Sequence, residues 1–165
     1  MTYYADPEED TMKKILIATD GSPSAREAVA FGLELATEQS AEAVVVHVAH
    51  AVDVLPTALF GIPGALPHPL TADDLVPLEE ASTLAAEKGV SARTELLAGD
   101  PVDEIVAFAD SIDADLIVVG SRGHGTIASA FLGSVSQGVL HETRRPVLIF
   151  RRARARMDEP AAAVS

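Results

Sequence analysis

The 165-residue sequence has no cysteine and no tryptophan, and only 4% of it is aromatic. Without cysteine there is no disulfide, no thiolate zinc site and no thiol nucleophile, and nothing points to an oxidising compartment. The shortage of aromatics leaves Ala, Val, Leu and Ile to build the core, as in helix-covered parallel sheets. Lysine is scarce too: Lys13, Lys14 and Lys88 stand beside nine arginines, and 12 basic residues against 25 acidic ones give a formal charge of −13. A field of that sign repels nucleic acid and anionic membrane, which argues against either as a partner. No uncharged apolar run approaches the roughly 18 residues needed to span a bilayer. The opening MTYYADPEEDTMKK is acidic and lacks the apolar stretch of a secretory leader. The expectation is a soluble, cytoplasmic protein. The acidic, lysine-poor balance fits either adaptation to high salt or a GC-rich genome.

What is present is enough for one domain at roughly 100 to 200 residues each. The expected organisation is an acidic arm over residues 1–12, a domain over 13–152 and a flexible tail over 153–165. Lys13 to Thr19 (KKILIAT) reads as a buried strand ending at Asp20-Gly21-Ser22-Pro23, which carries turn and helix-start chemistry. Ser22 suits the N-cap and Pro23 the first helical position, and Ala25, Ala28, Val29, Gly32, Leu33 and Ala36 recur at helical spacing. Ala43 to Val48 is a second strand. Residues 50–70, interrupted by Pro56, Pro63, Pro67 and Pro69, read as a loop. Thr71 to Asp74 resembles a capping box opening a helix to about Lys88, with Pro77 delaying its start and Gly89 stopping it. Ser91 to Leu97 is a third strand. Asp100 caps the next helix, Asp115 to Val119 is a fourth strand, Ser134 to Glu142 a helix and Val147 to Phe150 a fifth strand.

This alternation calls for right-handed crossovers and a parallel sheet covered on both faces. The two conspicuous polar loops, ATDGS after the first strand and GSRGHG after the fourth, converge if those strands are neighbours. That is the order 3-2-1-4-5, whose switch point opens a crevice at the carboxyl ends of the strands.

Gly120-Ser121-Arg122-Gly123, nine residues, then Gly133-Ser134 form a long glycine-punctuated loop between a strand and a helix. Glycines allow close backbone approach, and Ser134, Val135 and Ser136 would present first-turn N–H groups to an anion. Hydroxyls on Ser121, Ser134 and Ser136 and the charge of Arg122 would add to a phosphate site. Asp20, across the crevice, would accept from ribose hydroxyls or hold a phosphate-bound cation.

The spacing G-x2-G-x9-G-S, with ATDGS before it and PVLIF after it, resembles the universal stress protein family, ATP-binding branch, over roughly residues 13–150. The resemblance implies a flavodoxin-like, Rossmann-like three-layer sandwich with a five-stranded parallel sheet, binding ATP or a related adenine nucleotide. It places Asp20 near the ribose, the backbone around Val48 at the adenine edge, and Gly120, Gly123, Gly133, Ser134, Val135 and Ser136 around ribose and phosphates. Thr19, Val119, Ser121 and Arg122 complete the candidate set. Weak basicity in the site implies Mg²⁺ or Mn²⁺ with the phosphates. The family also implies a homodimer paired through the fifth-strand edge, Val147 to Phe150, and an unknown signalling partner.

Other motifs carry less. Gly123 to Ala128 matches G-x-G-x-x-A, but Arg144-Arg145-Pro146 stands where a dinucleotide fingerprint needs an acid. There is no P-loop lysine and no nucleophile elbow. His47 and His50 alternate to opposite faces of a strand, which argues against a metal pair. Any ATP hydrolysis should therefore be slow. An ATPase or phosphotransferase, and a nucleotide-free dimeric module, stay open as alternatives. Residues 144–156 hold six of the nine arginines and no acid, so that stretch carries +6 and the remainder −19. It is either a solvated tail guarding an edge strand or a partner, within or between chains, for the acidic surface.

Overall fold

A computed structural model describes residues 12–49, 52–54, 65–67, 70–122 and 132–151. Strands β1 (Lys14–Ala18) and β2 (Glu42–Ala49) flank helix α1 (Pro23–Gln39). Two three-residue strands follow, β3 (Val52–Val54) and β4 (Ala65–Pro67), then a 3-10 turn (Ala72–Leu75) running into α2 (Val76–Glu87). The remainder is β5 (Ala92–Ala98), α3 (Pro101–Ser111), β6 (Leu116–Gly120), α4 (Ser134–Glu142) and β7 (Val147–Phe150).

Five strands make one parallel sheet in the order β5-β2-β1-β6-β7, which is 3-2-1-4-5 when only its own strands are counted. The register sets Ile15 against Ala43 and Leu116, and Ile17 against Val45 and Val118. Because side chains alternate across a strand, Ile15, Ile17 and Val45 meet α1 and α2 on one face. Leu16, Val44, Val46 and Ile117 meet α3 and α4 on the other. The central strands are buried on both faces, which is why Ile15 to Ala18 of β1 and LIVVG of β6 are apolar in succession rather than alternating.

Local chemistry accounts for the helices. Ser22 caps α1 by accepting from the Ala25 N–H at 3.2 Å, and the six apolar positions of its stripe are all buried. Asp100 caps α3 by accepting from the Val102 and Asp103 N–H groups. Two departures from the sequence reading concern the second crossover. The segment 50–70, expected as a loop, contains an antiparallel ribbon pairing Val52 with Pro67 and Val54 with Ala65. Its prolines exclude a helix but not a two-stranded ribbon, where both strands are edges and a missing N–H is tolerated. The helix expected from Thr71 begins as a 3-10 turn, with the Thr71 N–H donating to Asp74 Oδ2 at 2.7 Å. The α-helical part starts at Val76, which puts Pro77 in the first turn, where its missing N–H has no partner to lose.

Charged staples tie the amino ends of the strands. Asp115 Oδ2 accepts from the main-chain N–H groups of Lys13 and Lys14 at 2.7 and 2.9 Å, joining β1 to β6. Desolvation pushes this carboxyl up, but those two N–H groups and the charges of Lys13 and Arg145 outweigh it and hold it below the ordinary value. Arg145 donates through Nε to Asp110 Oδ1 at 2.7 Å, through Nη2 to Asp113 Oδ1 at 3.1 Å and through Nη1 to the Ala114 carbonyl at 2.6 Å. One member of the arginine-rich stretch is thus bound within the domain. Among the described residues no helix is long and apolar enough to cross a membrane.

Candidate functional site

The chain leaves β1 toward the α1 layer and β6 toward the α4 layer, so a crevice opens between the carboxyl ends of these adjacent strands. One wall is Thr19 to Ser22. Thr19 is buried and its N–H donates to the Val46 carbonyl at 2.9 Å. Asp20 Oδ1 accepts from the Ser22 N–H at 3.0 Å, and Gly21 sits at φ +75°, a conformation that L side chains rarely adopt.

The other wall is Gly120 to Arg122 with the start of α4. The Ser121 N–H donates to the Phe150 carbonyl and its own carbonyl accepts from the Gly133 N–H, both at 2.8 Å. These bonds pin the two ends of the intervening loop to each other and to β7. The walls meet where the Ser22 hydroxyl reaches the Arg122 carbonyl at 3.4 Å. Gly120 is the point of closest approach: a Cβ there would stand 2.9 Å from the Ser24 carbonyl oxygen and 3.0 Å from the Ala25 nitrogen.

Gly133 is the N-cap of α4 and brings no side chain to cap it. The first helical bond is Gln137 N–H to the Gly133 carbonyl. The N–H groups of Ser134, Val135 and Ser136 therefore have no main-chain acceptor among the described residues, and together with the helix dipole they favour an anion. Ser134 is exposed and Arg122 half-buried. Ser136 is turned differently from the sequence reading: its buried hydroxyl donates to the Gly120 carbonyl at 2.6 Å, so its proton serves the fold. Val48 and Val119 are buried in the α3/α4 layer, which leaves only their main chain to face the crevice. Gly123 lies outside the described residues, as do His50, His68 and His124.

One contributor was missed. His47 Nδ1 lies 2.8 Å from the Thr19 carbonyl oxygen, and since a carbonyl only accepts, Nδ1 carries the proton. The imidazole thereby fixes the main chain at the tip of β1. The signal for this is the β1–β2 register, Ala18 opposite Val46, which places His47 beside Thr19.

Among the described crevice residues, Thr19 to Ser22, Gly120 to Arg122 and Leu132 to Ser136, Asp20 is the one carboxylate and there is no lysine. No group of three or more His, Asp or Glu among the described residues could hold a metal. The arrangement suits holding an anion by main-chain donors.

An open parallel sheet of this order, with its crevice at the switch point, defines a flavodoxin-like α/β domain. Residues 11–151 match the Universal stress protein family. The chain belongs to that family. It is 36% identical over 149 residues to Universal stress protein MJ0531 of Methanocaldococcus jannaschii, covering 87% of this chain and 85% of that one. It is 39% identical over 145 residues to Universal stress protein YxiE of Bacillus subtilis, covering 84% and 98%. Among solved structures, a universal stress protein in complex with cAMP superposes with a TM-score of 0.65 at 28% identity, covering 86% of this chain and 98% of that one.

Proposed function

We propose that this protein binds an adenine nucleotide, ATP foremost, in the crevice between β1 and β6, and acts as a cytoplasmic stress-response regulator. The observation that carries this reading is the uncapped first turn of α4, anchored by Gly133 against Ser121 and facing the tip of β1. The likeness to a relative solved with cAMP supports an adenine ligand. In this reading Asp20 meets the ribose, and the main chain at Thr19, Val48 and Val119 meets the base. Gly120, Ser121, Arg122, Gly123, Gly133, Ser134, Val135 and Ser136 surround ribose and phosphates. Mg²⁺ or Mn²⁺ would share charge with the phosphates, with Asp20 the one carboxylate of the described crevice. Hydrolysis is at most slow, because the carboxylate of Asp20 is engaged by the Ser22 N–H and no lysine stands in the described crevice.

β7 is a sheet edge, and an unpaired edge invites a second copy. A homodimer joined along Val147 to Phe150 follows, and the nucleotide state would be read by a signalling partner.

Mass spectrometry of native purified protein, followed by calorimetric titration with ATP, AMP and cAMP, tests the assignment. Bound adenylate, and saturable heat lost in Gly133→Val with unchanged circular dichroism, supports it. No co-purified nucleotide and no heat with any of the three overturns it, as does undiminished affinity in Gly133→Val.

A further inference from the structure

The β1–β2 ladder stops one rung short. In a parallel ladder, alternate residues of a strand aim both main-chain groups at the same neighbour. Val46 faces β1, because its carbonyl accepts from the Thr19 N–H at 2.9 Å, and Ala49 faces β5, because its carbonyl accepts from the Gly99 N–H at 3.1 Å. Val48, two residues beyond Val46, therefore turns its N–H and carbonyl toward β1. The next rung would carry the Val48 N–H to the Thr19 carbonyl and pair Thr19 with His47. That rung is not made: the last pair is Ala18 with Val46. Among the described residues the Val48 N–H has no main-chain acceptor, although Val48 is buried.

His47 accounts for the gap. Side chains alternate along β2, so His47 rises on the face of Ala43 and Val45, which belong to the α1/α2 layer. For the Nδ1–H to reach the Thr19 carbonyl at 2.8 Å, that carbonyl must tilt out of the sheet toward the same face. A carbonyl has two lone pairs and could serve two donors, so it is the tilt, rather than the occupancy, that denies it to Val48. The imidazole bond thus replaces a ladder bond and leaves a main-chain donor aimed past the tip of β1, where the crevice begins.

We propose that His47 is a positioning residue for the nucleotide: by holding the Thr19 carbonyl off the ladder, it keeps the Val48 N–H open for a ring nitrogen of the base. This rests on the adenine-nucleotide reading of the crevice and adds what keeps the base edge open. An unprotonated ring nitrogen is what a lone N–H reads, and adenine offers N1, N3 and N7.

Two variants separate the donor from the ring. His47→Phe keeps the ring and loses the N–H; in His47→Asn the side-chain Nδ2 takes the position of the imidazole Nδ1 and keeps a donor. In isotopically enriched, ligand-free wild type, the nitrogen spectrum of the neutral imidazole should show the Nδ1–H tautomer. No scalar coupling across a hydrogen bond should link the Val48 nitrogen to the Thr19 carbonyl carbon. That coupling should appear in His47→Phe and be absent again in His47→Asn. AMP affinity, read from amide shifts, should fall about tenfold in His47→Phe, the scale of one typical hydrogen bond, and recover in His47→Asn. Ribose 5-phosphate, which has no base, should bind all three proteins alike.

A Val48–Thr19 coupling in the wild type would overturn the proposal. So would its absence from folded His47→Phe, which would mean that the turn at Gly21 holds the tilt unaided. An equal loss of AMP and ribose 5-phosphate, or a loss that His47→Asn does not repair, also counts against it, since either marks a general loosening of the β1 tip. Position 47 is half-buried, and if the ring variant does not fold, His47→Leu removes the same donor. AMP bound equally with and without the donor overturns this proposal alone, whereas AMP bound by none of the proteins removes the nucleotide reading together with it.

Discussion

The hydroxyl of Ser136 donates to the carbonyl of Gly120 at 2.6 Å, joining the first turn of α4 to the end of β6 across sixteen residues of chain. The bond is buried, so the orientation of the α4 amino end is set by β6 itself rather than by the loop between them. Ser136→Ala would remove that donor from a buried carbonyl, for which about 1–3 kcal/mol is typical. Urea unfolding should show a lower midpoint at unchanged m-value. Amide exchange in α4 should quicken more than in α1.

Gly120→Ala should be about as damaging, although it adds only one methyl group. The new carbon would meet the main chain of Ser24 and Ala25, which has no rotamer with which to move aside. Overpacking of this kind costs about 1–3 kcal/mol. The displacement falls on the first turn of α1, so crevice residues Asp20 to Ser22 should move with it. Thermal unfolding together with amide shifts at Gly21 and Ser22 checks this; a stable protein with unmoved shifts would contradict it.

Acid should reach Asp115 late. Its folded carboxyl lies below the ordinary value, so its contribution is fully present above the unfolded pKa of about 3.9 and is lost as pH falls through the lower folded value. Asp115→Asn should weaken the wild-type fold near neutrality by about 1 kcal/mol, the scale of the hydrogen bonds it perturbs. The difference should shrink once the wild-type carboxyl is itself protonated. Unfolding free energies of both proteins from pH 7 to pH 2 would show converging curves.

The features legible in the sequence are those decided within a turn or two of chain. Ser22 and Pro23 start α1, and the stripe from Ala25 to Ala36 is buried as its spacing requires. Asp100 caps α3 as its position suggests. The strand order was accessible because two polar loops needed to converge and because the glycine spacing resembled a known family. What escaped depends on register and approach. The Ser136 hydroxyl looks available until β6 is found beside it, and the sequence does not show that Gly120 also lies against α1. In the sequence His47 reads only as a metal candidate, since its contact with Thr19 exists only once β2 is aligned with β1. The β3/β4 ribbon escaped because prolines announce the end of a helix more loudly than the presence of a short hairpin.

The bond from the Gly133 N–H to the Ser121 carbonyl works like a clasp on a necklace. Both bonded groups are main-chain atoms, so no particular side chain is needed to keep the clasp shut. Descendants of this chain are therefore free to exchange the beads strung between Arg122 and Leu132, and so to retune what is grasped, while the sheet beneath inherits its shape unaltered.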